Sequence, residues 1–316
     1  MFKVEPVFKD YLWGGNKLRE EFGKKSDLAI VAESWELSTH PAGVCAINVD
    51  GKETLLTDYI AKEGKKALGT KSTSETDVPI LIKLIDAKDN LSVQVHPDDE
   101  YARKFEGDLG KTEMWYVLEA EEGAKLVYGF QNDLTTDEFK AAIESSKLEE
   151  KLNYVDVKPG DVFFITPGTM HAIGKGIVIA EIQESSNVTY RVYDYGRVGA
   201  DGKPRELHVA KAIEVTKLNK AGEALTKYEF APIEGGEEAT LVTCGYFTVK
   251  SIAVNGTVAL NATEESFHHV LVVEGEVTLK DTNKELVGKK GDSFFIPANS
   301  GKYEIAGNGK VVLSTL

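Results

Sequence analysis

The chain has 316 residues, with 51 acidic against 37 basic side chains, a formal net charge of −14 and only two cysteines. This acidic excess disfavours nucleic-acid binders and basic membrane-surface proteins, because both need Lys and Arg to meet phosphates. Cys45 and Cys244 have no nearby cysteine partner, which argues against a disulfide framework and against a cysteine metal site.

The amino terminus lacks the unbroken apolar stretch of a secretion signal. Nor does any window reach the ~18 apolar residues of a membrane span. We therefore expect a cytoplasmic protein without nucleic-acid or membrane partners, present as a monomer or weak homo-oligomer.

Short strands dominate, as alternating or fully apolar segments broken by Gly, Pro, Asn and Asp. The predicted strands cover residues 34–38, 44–49, 79–85, 91–95, 114–118, 125–128, 161–165, 177–182 and 188–193. Predicted helices are few and cover residues 56–68, 98–105 and 136–152. The last begins beside a possible N-cap, Thr135 or Thr136, with Glu138 placed for a capping box. The pattern predicts a mainly β fold.

A repeated segment indicates two domains. Residues 158–167 (KPGDVFFITP) return as 290–297 (KGDSFFIP), and each copy follows a strand that runs into a Glu/Gly turn. The repeat and the many short strands predict two jelly-roll barrels. The polar stretch near residue 227 sets the limits: a first domain, 1–227, with N-terminal strands and a helical insertion near 135–152, and a second, 228–316.

The candidate metal ligands come from three predicted strands. Gln94 and His96 alternate on one strand and therefore share a face. Glu113 begins another strand, and His171 follows the turn after the first FFI strand. Two imidazoles, one carboxylate and a neutral amide oxygen form a credible divalent metal site that keeps net positive charge. The alternative is a hydrogen-bonded histidine at each strand end.

Other polar residues accompany these ligands in the sequence. Ser92 and Lys111 each lie two positions before a candidate ligand, and Glu181, Gln183 and Arg191 follow His171. Lys and Arg beside a metal site would recruit an anion such as a phosphate in an otherwise acidic molecule. An isolated arginine in a strand is more often a surface residue.

These residues, in this order, resemble the type I mannose-6-phosphate isomerases, or phosphomannose isomerases, of the cupin superfamily. The matching segments are residues 91–98 (LSVQVHPD), 111–114 (KTEM), 167–172 (PGTMHA) and 181–191, with weaker agreement at 13–15, 33–38 and in the C-terminal barrel. The resemblance is to the short bacterial members, which lack the additional helical domain of the longer ones.

The resemblance implies one zinc ion per chain, held by Gln94, His96, Glu113 and His171, and an essential Arg191. It implies the reversible interconversion of mannose 6-phosphate and fructose 6-phosphate through an enediol or enediolate, and hence a sugar phosphate as the small-molecule partner. The second barrel would be a metal-free cupin domain, since a glycine stands where the first barrel has its second histidine ligand.

Three residues are the candidate catalytic groups: Arg191 for the developing anion, and Lys111 and Glu181 as alternative bases. Ser92, Lys111 and Arg191 are the candidate substrate-binding residues. Longer relatives carry a histidine before their zinc-motif lysine and an acidic residue near position 187. This chain has Gly110 and Asn187 there, so proton-transfer roles given to those groups do not carry over.

Two other functions compete with an isomerase. A metal-dependent bicupin oxygenase or decarboxylase usually employs three or four histidines with a glutamate around iron or manganese, and Gln94 in place of one histidine argues against redox chemistry. A non-enzymatic sugar-sensing cupin could dispense with ligands, whereas all four are present here.

Overall fold

The computed structural model describes residues 1–199 and 202–316 and shows a mainly β protein, which confirms the predicted fold class. Packing divides the chain into two compact units. Unit 1 contains Met1–Lys9, Asn16–Leu84 and Lys227–Leu316, and unit 2 contains Asp10–Gly15 and Ile85–Thr226. The predicted domain limits rest on the sequence repeat rather than on packing, and they stay a prediction.

The strands are β1 (Phe2–Glu5), β2 (Val7–Lys9), β3 (Glu33–Leu37), β4 (Ala46–Val49), β5 (Lys52–Leu55), β6 (Ile80–Ala87), β7 (Val93–Val95), β8 (Glu113–Ala120), β9 (Lys125–Phe130), β10 (Leu152–Asp156), β11 (Val162–Ile165), β12 (His171–Ala172), β13 (Ile177–Glu184), β14 (Tyr190–Tyr193), β15 (Ala231–Ile233), β16 (Gly236–Thr243), β17 (Thr248–Val254), β18 (Thr257–Ala262), β19 (His268–Lys280), β20 (Glu285–Lys289), β21 (Ser293–Ile296) and β22 (Gly301–Thr315). The helices are α1 (Lys17–Glu20), α2 (Leu56–Glu63), α3 (Lys65–Leu68), α4 (Asp99–Phe105), α5 (Thr136–Glu144) and α6 (Val209–Val215), with a 3₁₀ turn at Leu148–Lys151. No helix in the described ranges is long and apolar enough to cross a membrane.

Two predicted helices are shorter in the structure, and positive backbone φ angles explain both differences. Gly64 has φ 55° and divides the predicted 56–68 helix into α2 and α3. Ser146 has φ 57°, beyond the end of α5, where the predicted helix was expected to continue to residue 152. A right-handed helix cannot contain either conformation. The Thr135 capping box at the start of α5 is confirmed.

The two copies of the repeated segment form equivalent strands. β11 pairs antiparallel with β8, and β21 pairs antiparallel with β19. Gly160 and Gly291 precede the two strands with φ 93° and 94°, a conformation that favours glycine. The repeat therefore corresponds to one strand pair built twice, while closure of each copy into a barrel stays a prediction.

Unit 2 contains two groups of paired strands that carry the candidate ligands. One sheet has the order β10-β9-β12-β7-β14, and in the other group β8 lies between β11 and β13. The core of the five-stranded sheet includes Val93, Val95, Ala172, Tyr190 and Val192, which pack with apolar residues of α5 and α6. Since side chains alternate along a strand, the residues between these core positions lie on the opposite face.

Unit 1 contains a buried ion pair. Lys24 Nζ lies 2.6 Å from Glu36 Oε1 and donates to the carbonyl of Gly291 at 2.5 Å. Glu36 also accepts from the hydroxyls of Ser34 and Ser293, at 2.5 and 2.8 Å. Every polar contact of this carboxylate is therefore made inside the protein, where an uncompensated charge is costly.

We expect Lys24→Met to lower the free energy of unfolding by about 3–5 kcal/mol, because it leaves a buried carboxylate without its cation. Urea unfolding followed by circular dichroism measures the loss. The double variant Lys24→Met/Glu36→Gln removes both charges and should recover most of the stability. Equal losses in the single and double variants would contradict this account of the pair.

Candidate metal centre

The predicted ligands on the five-stranded sheet share one face because their neighbours are in the core. Gln94 lies between Val93 and Val95, and His171 precedes Ala172. Gln94 is paired directly with His171 on one side and with Arg191 on the other. Three of the predicted site residues therefore stand side by side on neighbouring strands.

The second group of strands supplies the carboxylate. Glu113 is the first residue of β8, is fully buried and pairs with Gln183 of β13. Its Oε1 lies 3.3 Å from His171 Nε2, and its Oε2 lies 3.6 Å from His96 Nε2. One ligand atom from each of these three residues lies within 4.8 Å of the others.

The hydrogen bonds of the two imidazoles fix their orientation. His96 Nδ1 lies 2.8 Å from the carbonyl of Val188, and His171 Nδ1 lies 2.8 Å from the carbonyl of Thr169. A carbonyl only accepts, so each Nδ1 carries the proton and each Nε2 presents a lone pair. The two Nε2 atoms are 3.1 Å apart.

Two lone pairs and a carboxylate at this separation repel one another unless a cation lies among them. Burial lowers the pKa of His171 to about 4, so this imidazole is neutral near pH 7, as a metal ligand must be. The donors fit a divalent metal, and nitrogen with carboxylate oxygen suits zinc.

Gln94 lies beside this cluster with its amide 3.5 Å from His171 Nε2. The amide nitrogen faces this imidazole, and half a turn of the side-chain amide would direct the oxygen there instead. The oxygen now accepts from Ser92 Oγ at 3.3 Å, and Arg191 Nε donates to the same hydroxyl at 3.3 Å. A polar chain therefore connects Arg191 to the ligand cluster.

Lys111 reaches the same carboxylate as the imidazoles. Its side chain is buried, and Nζ lies 3.3 Å from Glu113 Oε2. The preceding Gly110 permits a close approach to α4, since a Cβ there would lie 2.4 Å from the backbone nitrogen of Asp99. Close packing against α4 thus explains why a glycine stands at position 110.

Relatives at full length decide the family. A mannose-6-phosphate isomerase of Streptococcus mutans is 36% identical over 316 residues, covering 98% of each chain. Mannose-6-phosphate isomerase ManA of Bacillus subtilis is also 36% identical and covers 99% of this chain. This chain belongs to the mannose-6-phosphate isomerase family. The type I phosphomannose isomerase catalytic domain matches residues 1–133, and the mannose-6-phosphate isomerase cupin domain matches residues 237–316.

A solved structure of the mannose-6-phosphate isomerase family agrees with the fold. The crystal structure of the mannose 6-phosphate isomerase from Bacillus subtilis superposes with a TM-score of 0.92 at 35% identity, covering 100% of this chain and 99% of that one. The cupin assignment made from sequence is therefore confirmed for the family and the fold.

Glu181 bonds an aromatic neighbour of the candidate ligands. It lies on the same strand face as Gln183, and its Oε2 accepts from the indole nitrogen of Trp115 at 3.0 Å. The Trp115 ring in turn packs edge-on against His171, with centroids 5.4 Å apart. Glu181 is thus connected to the candidate ligand His171 through a tryptophan.

Arg191 is half-buried, and burial lowers the pKa of its guanidinium. Besides Ser92 it donates to the carbonyl of Glu206 at 3.0 Å. Its charge is also repelled by Arg205 and Arg197 and attracted by Asp194. The candidate site therefore has a cationic side next to Gln94, with which Arg191 pairs.

Two contacts that support the candidate ligands could not be predicted from residue types. The Val188 carbonyl holds His96, and any residue type can offer a carbonyl. Glu184 is buried, and its carboxylate accepts from the backbone nitrogen of Thr112 at 2.6 Å, between Lys111 and Glu113. Only a run of polar residues, 183–187, marked this segment in the sequence.

Glu184 generates a prediction about stability and pH. Burial, as the largest cause, raises its pKa from 4.5 to about 7. The folded state thus retains a proton that the unfolded state releases, so the wild-type protein loses stability as the pH rises through this window. Glu184→Gln keeps an acceptor for Thr112 but has no proton to lose.

We therefore expect Glu184→Gln to gain stability relative to wild type between pH 4.5 and 7 and to hold that gain above it, by about 3 kcal/mol at most. Urea titrations at several pH values measure the difference. Exposed Glu150→Gln is the control. A difference for Glu184→Gln that does not change with pH would contradict the expectation.

Proposed function

We propose that this protein interconverts mannose 6-phosphate and fructose 6-phosphate with one zinc ion per chain, held by Gln94, His96, Glu113 and His171. The observation that carries the proposal is the convergence of two imidazole lone pairs and a carboxylate in a buried cluster of a chain that matches mannose-6-phosphate isomerases at full length. We also propose a cytoplasmic location.

Bound zinc would supply Lewis acidity toward a sugar oxygen and offset the negative charge of an enediolate. The protein's own contribution begins with the exclusion of water from these three residues. His96, Glu113 and His171 are at most 1% exposed, so charges at this cluster interact more strongly than they do in water.

Arg191 is proposed to stabilise anionic charge on the substrate. Its guanidinium is anchored on one side by Glu206, and on the other it meets Ser92, which bonds the ligand Gln94. A cation held in this way beside the proposed zinc site would need no reorganisation during the reaction. Ser92 and Lys111 are the further proposed contacts of the sugar phosphate.

Lys111 and Glu181 are the two proposed proton-transfer groups. The reaction removes a proton from the carbon next to the carbonyl and returns one to the neighbouring carbon, so one residue must hold it in between. Lys111 Nζ lies 3.3 Å from Glu113, whereas Glu181 accepts from Trp115. The ion pair with Glu113 favours the protonated form of Lys111, so both residues stay proposed. The base is the residue whose variant, Lys111→Met or Glu181→Gln, no longer exchanges the proton of the carbon next to the carbonyl with solvent deuterium.

We expect removal of the metal by a chelator to abolish isomerisation and added zinc to restore it, in a coupled assay that follows fructose 6-phosphate. His171→Ala should lose both bound zinc and activity, since it removes one of the convergent nitrogens. His40→Ala changes a histidine of unit 1 and should retain both. Full activity in the chelated enzyme, or bound iron with oxygen uptake, would refute the proposal.

Arg191→Ala should lower kcat by about 10²–10³-fold while zinc content stays unchanged, because the guanidinium stabilises charge without binding the metal. Arg103→Ala, at an exposed ion pair on α4, is the matched control and should behave as wild type. Turnover of Arg191→Ala within a few-fold of wild type would remove Arg191 from the mechanism.

A further inference from the structure

Residues 183–188, here called the strap, are the last two residues of β13 and the first four that follow it, and they bond neighbours of Glu113 and the ring of His96. At one end, Glu184 exchanges two hydrogen bonds with the backbone of Thr112, next to Glu113. At the other end, the carbonyl of Val188 bonds His96 Nδ1 at 2.8 Å. The strap is therefore the element that contacts the surroundings of two ligands at once.

Gln183 determines the shape of the strap. Its Nε2 donates to the carbonyls of Glu184 and Ser186, both at 2.7 Å, and the side chain is fully buried. These two bonds fold the chain back on itself directly after β13. They also fix the amide orientation, since half a turn would set the amide oxygen against two carbonyl oxygens.

The amide oxygen of Gln183 shows that the contacts made by the amide nitrogen are the ones that the position requires. Gln183 Oε1 is buried and has no hydrogen-bond partner among the residues that the structure describes. Leaving a buried acceptor unsatisfied costs about 1–3 kcal/mol. A leucine or methionine would fill similar space without that cost, so the donor side of the amide is what the position needs.

Gln183 also lies where it can act on the metal ligands. It pairs directly with Glu113 across β8 and β13, so the two side chains share a strand face. Ser186, which receives one of its bonds, also donates through its hydroxyl to the carbonyl of Leu109, in the segment before Lys111. The strap, the segment before β8 and His96 therefore form one connected support.

We propose that Gln183 is a positioning residue of the metal centre, acting through the strap so that Val188 holds the His96 ring with its Nε2 directed at the other ligands. The inference rests on the metal site of the proposed function. Hydrogen bonds behind a metal-bound histidine set its ring orientation and tautomer, and their loss typically weakens metal binding by about 10–100-fold.

The test measures zinc affinity by competition with a chromophoric chelator, which needs no turnover. We expect Gln183→Leu to raise the Kd for zinc by about 10–100-fold, and Gln183→Met gives the same measurement should the leucine variant not fold. Gln131→Leu is the matched control, because Gln131 also donates its amide to a backbone carbonyl in unit 2, that of Leu152 at 2.8 Å. Its zinc affinity should equal that of wild type.

A second measurement separates positioning from general destabilisation. In a His96→Ala background the Gln183 substitution should add little further loss of zinc affinity, since its route to the metal is gone. A wild-type Kd in Gln183→Leu, or an equal loss with and without His96, would overturn the proposal. Failure of the isomerase assay with this affinity pattern intact would refute only the proposed activity.

Discussion

The approach of two imidazole lone pairs to within 3.1 Å, beside a buried carboxylate, is the constraint on which the rest of the site depends. The two imidazole nitrogens and the carboxylate repel one another when no cation lies among them. The fold therefore has to hold these three side chains together against that repulsion. Two backbone carbonyls accept from the Nδ1 atoms and so orient the rings. The apolar neighbours on the strands pack into the core on the opposite face and so fix the direction of the ligand side chains. The convergence of these donors is thus an outcome of strand alternation combined with a few carbonyl positions.

The chain is acidic as a whole, but basic side chains gather at this site. The whole protein carries −14, yet Lys111 is buried beside Glu113, and Arg191 lies near Arg197 and Arg205. Asp194 accepts hydrogen bonds from both Arg197 and Arg205, each at 2.5 Å. A sugar phosphate would therefore be attracted by charges next to the candidate ligands and not by the protein as a whole.

Much of the site could be predicted because side-chain chemistry and strand period are both readable in a sequence. Gln94, His96, Glu113 and His171 have residue types typical of metal ligands, and alternation with apolar residues gives their direction. The convergence of His96, Glu113 and His171 is seen in the structure, while the roles of the proposed ligands remain proposals. Helix ends were less predictable. Ser146 has a positive φ although serine does not favour that conformation, whereas Gly64 is of the residue type that does.

The support behind the ligands could not be predicted at all. Val188 acts through its carbonyl, and Gln183 acts through bonds to carbonyls of its own strap, so neither contact depends on a recognisable motif. Such contacts depend on how the chain turns after β13, which only the three-dimensional arrangement shows. This is the physical reason why ligand sets are easier to predict from a sequence than the geometry that holds them.

Anomalous scattering at the zinc absorption edge, from crystals of protein loaded with one equivalent of zinc, tests the central claim most directly. The account predicts one peak per chain, within about 2.0–2.2 Å of His96 Nε2, His171 Nε2 and a carboxylate oxygen of Glu113. A peak at another place, or two histidines that turn away from each other with no peak between them, would contradict it.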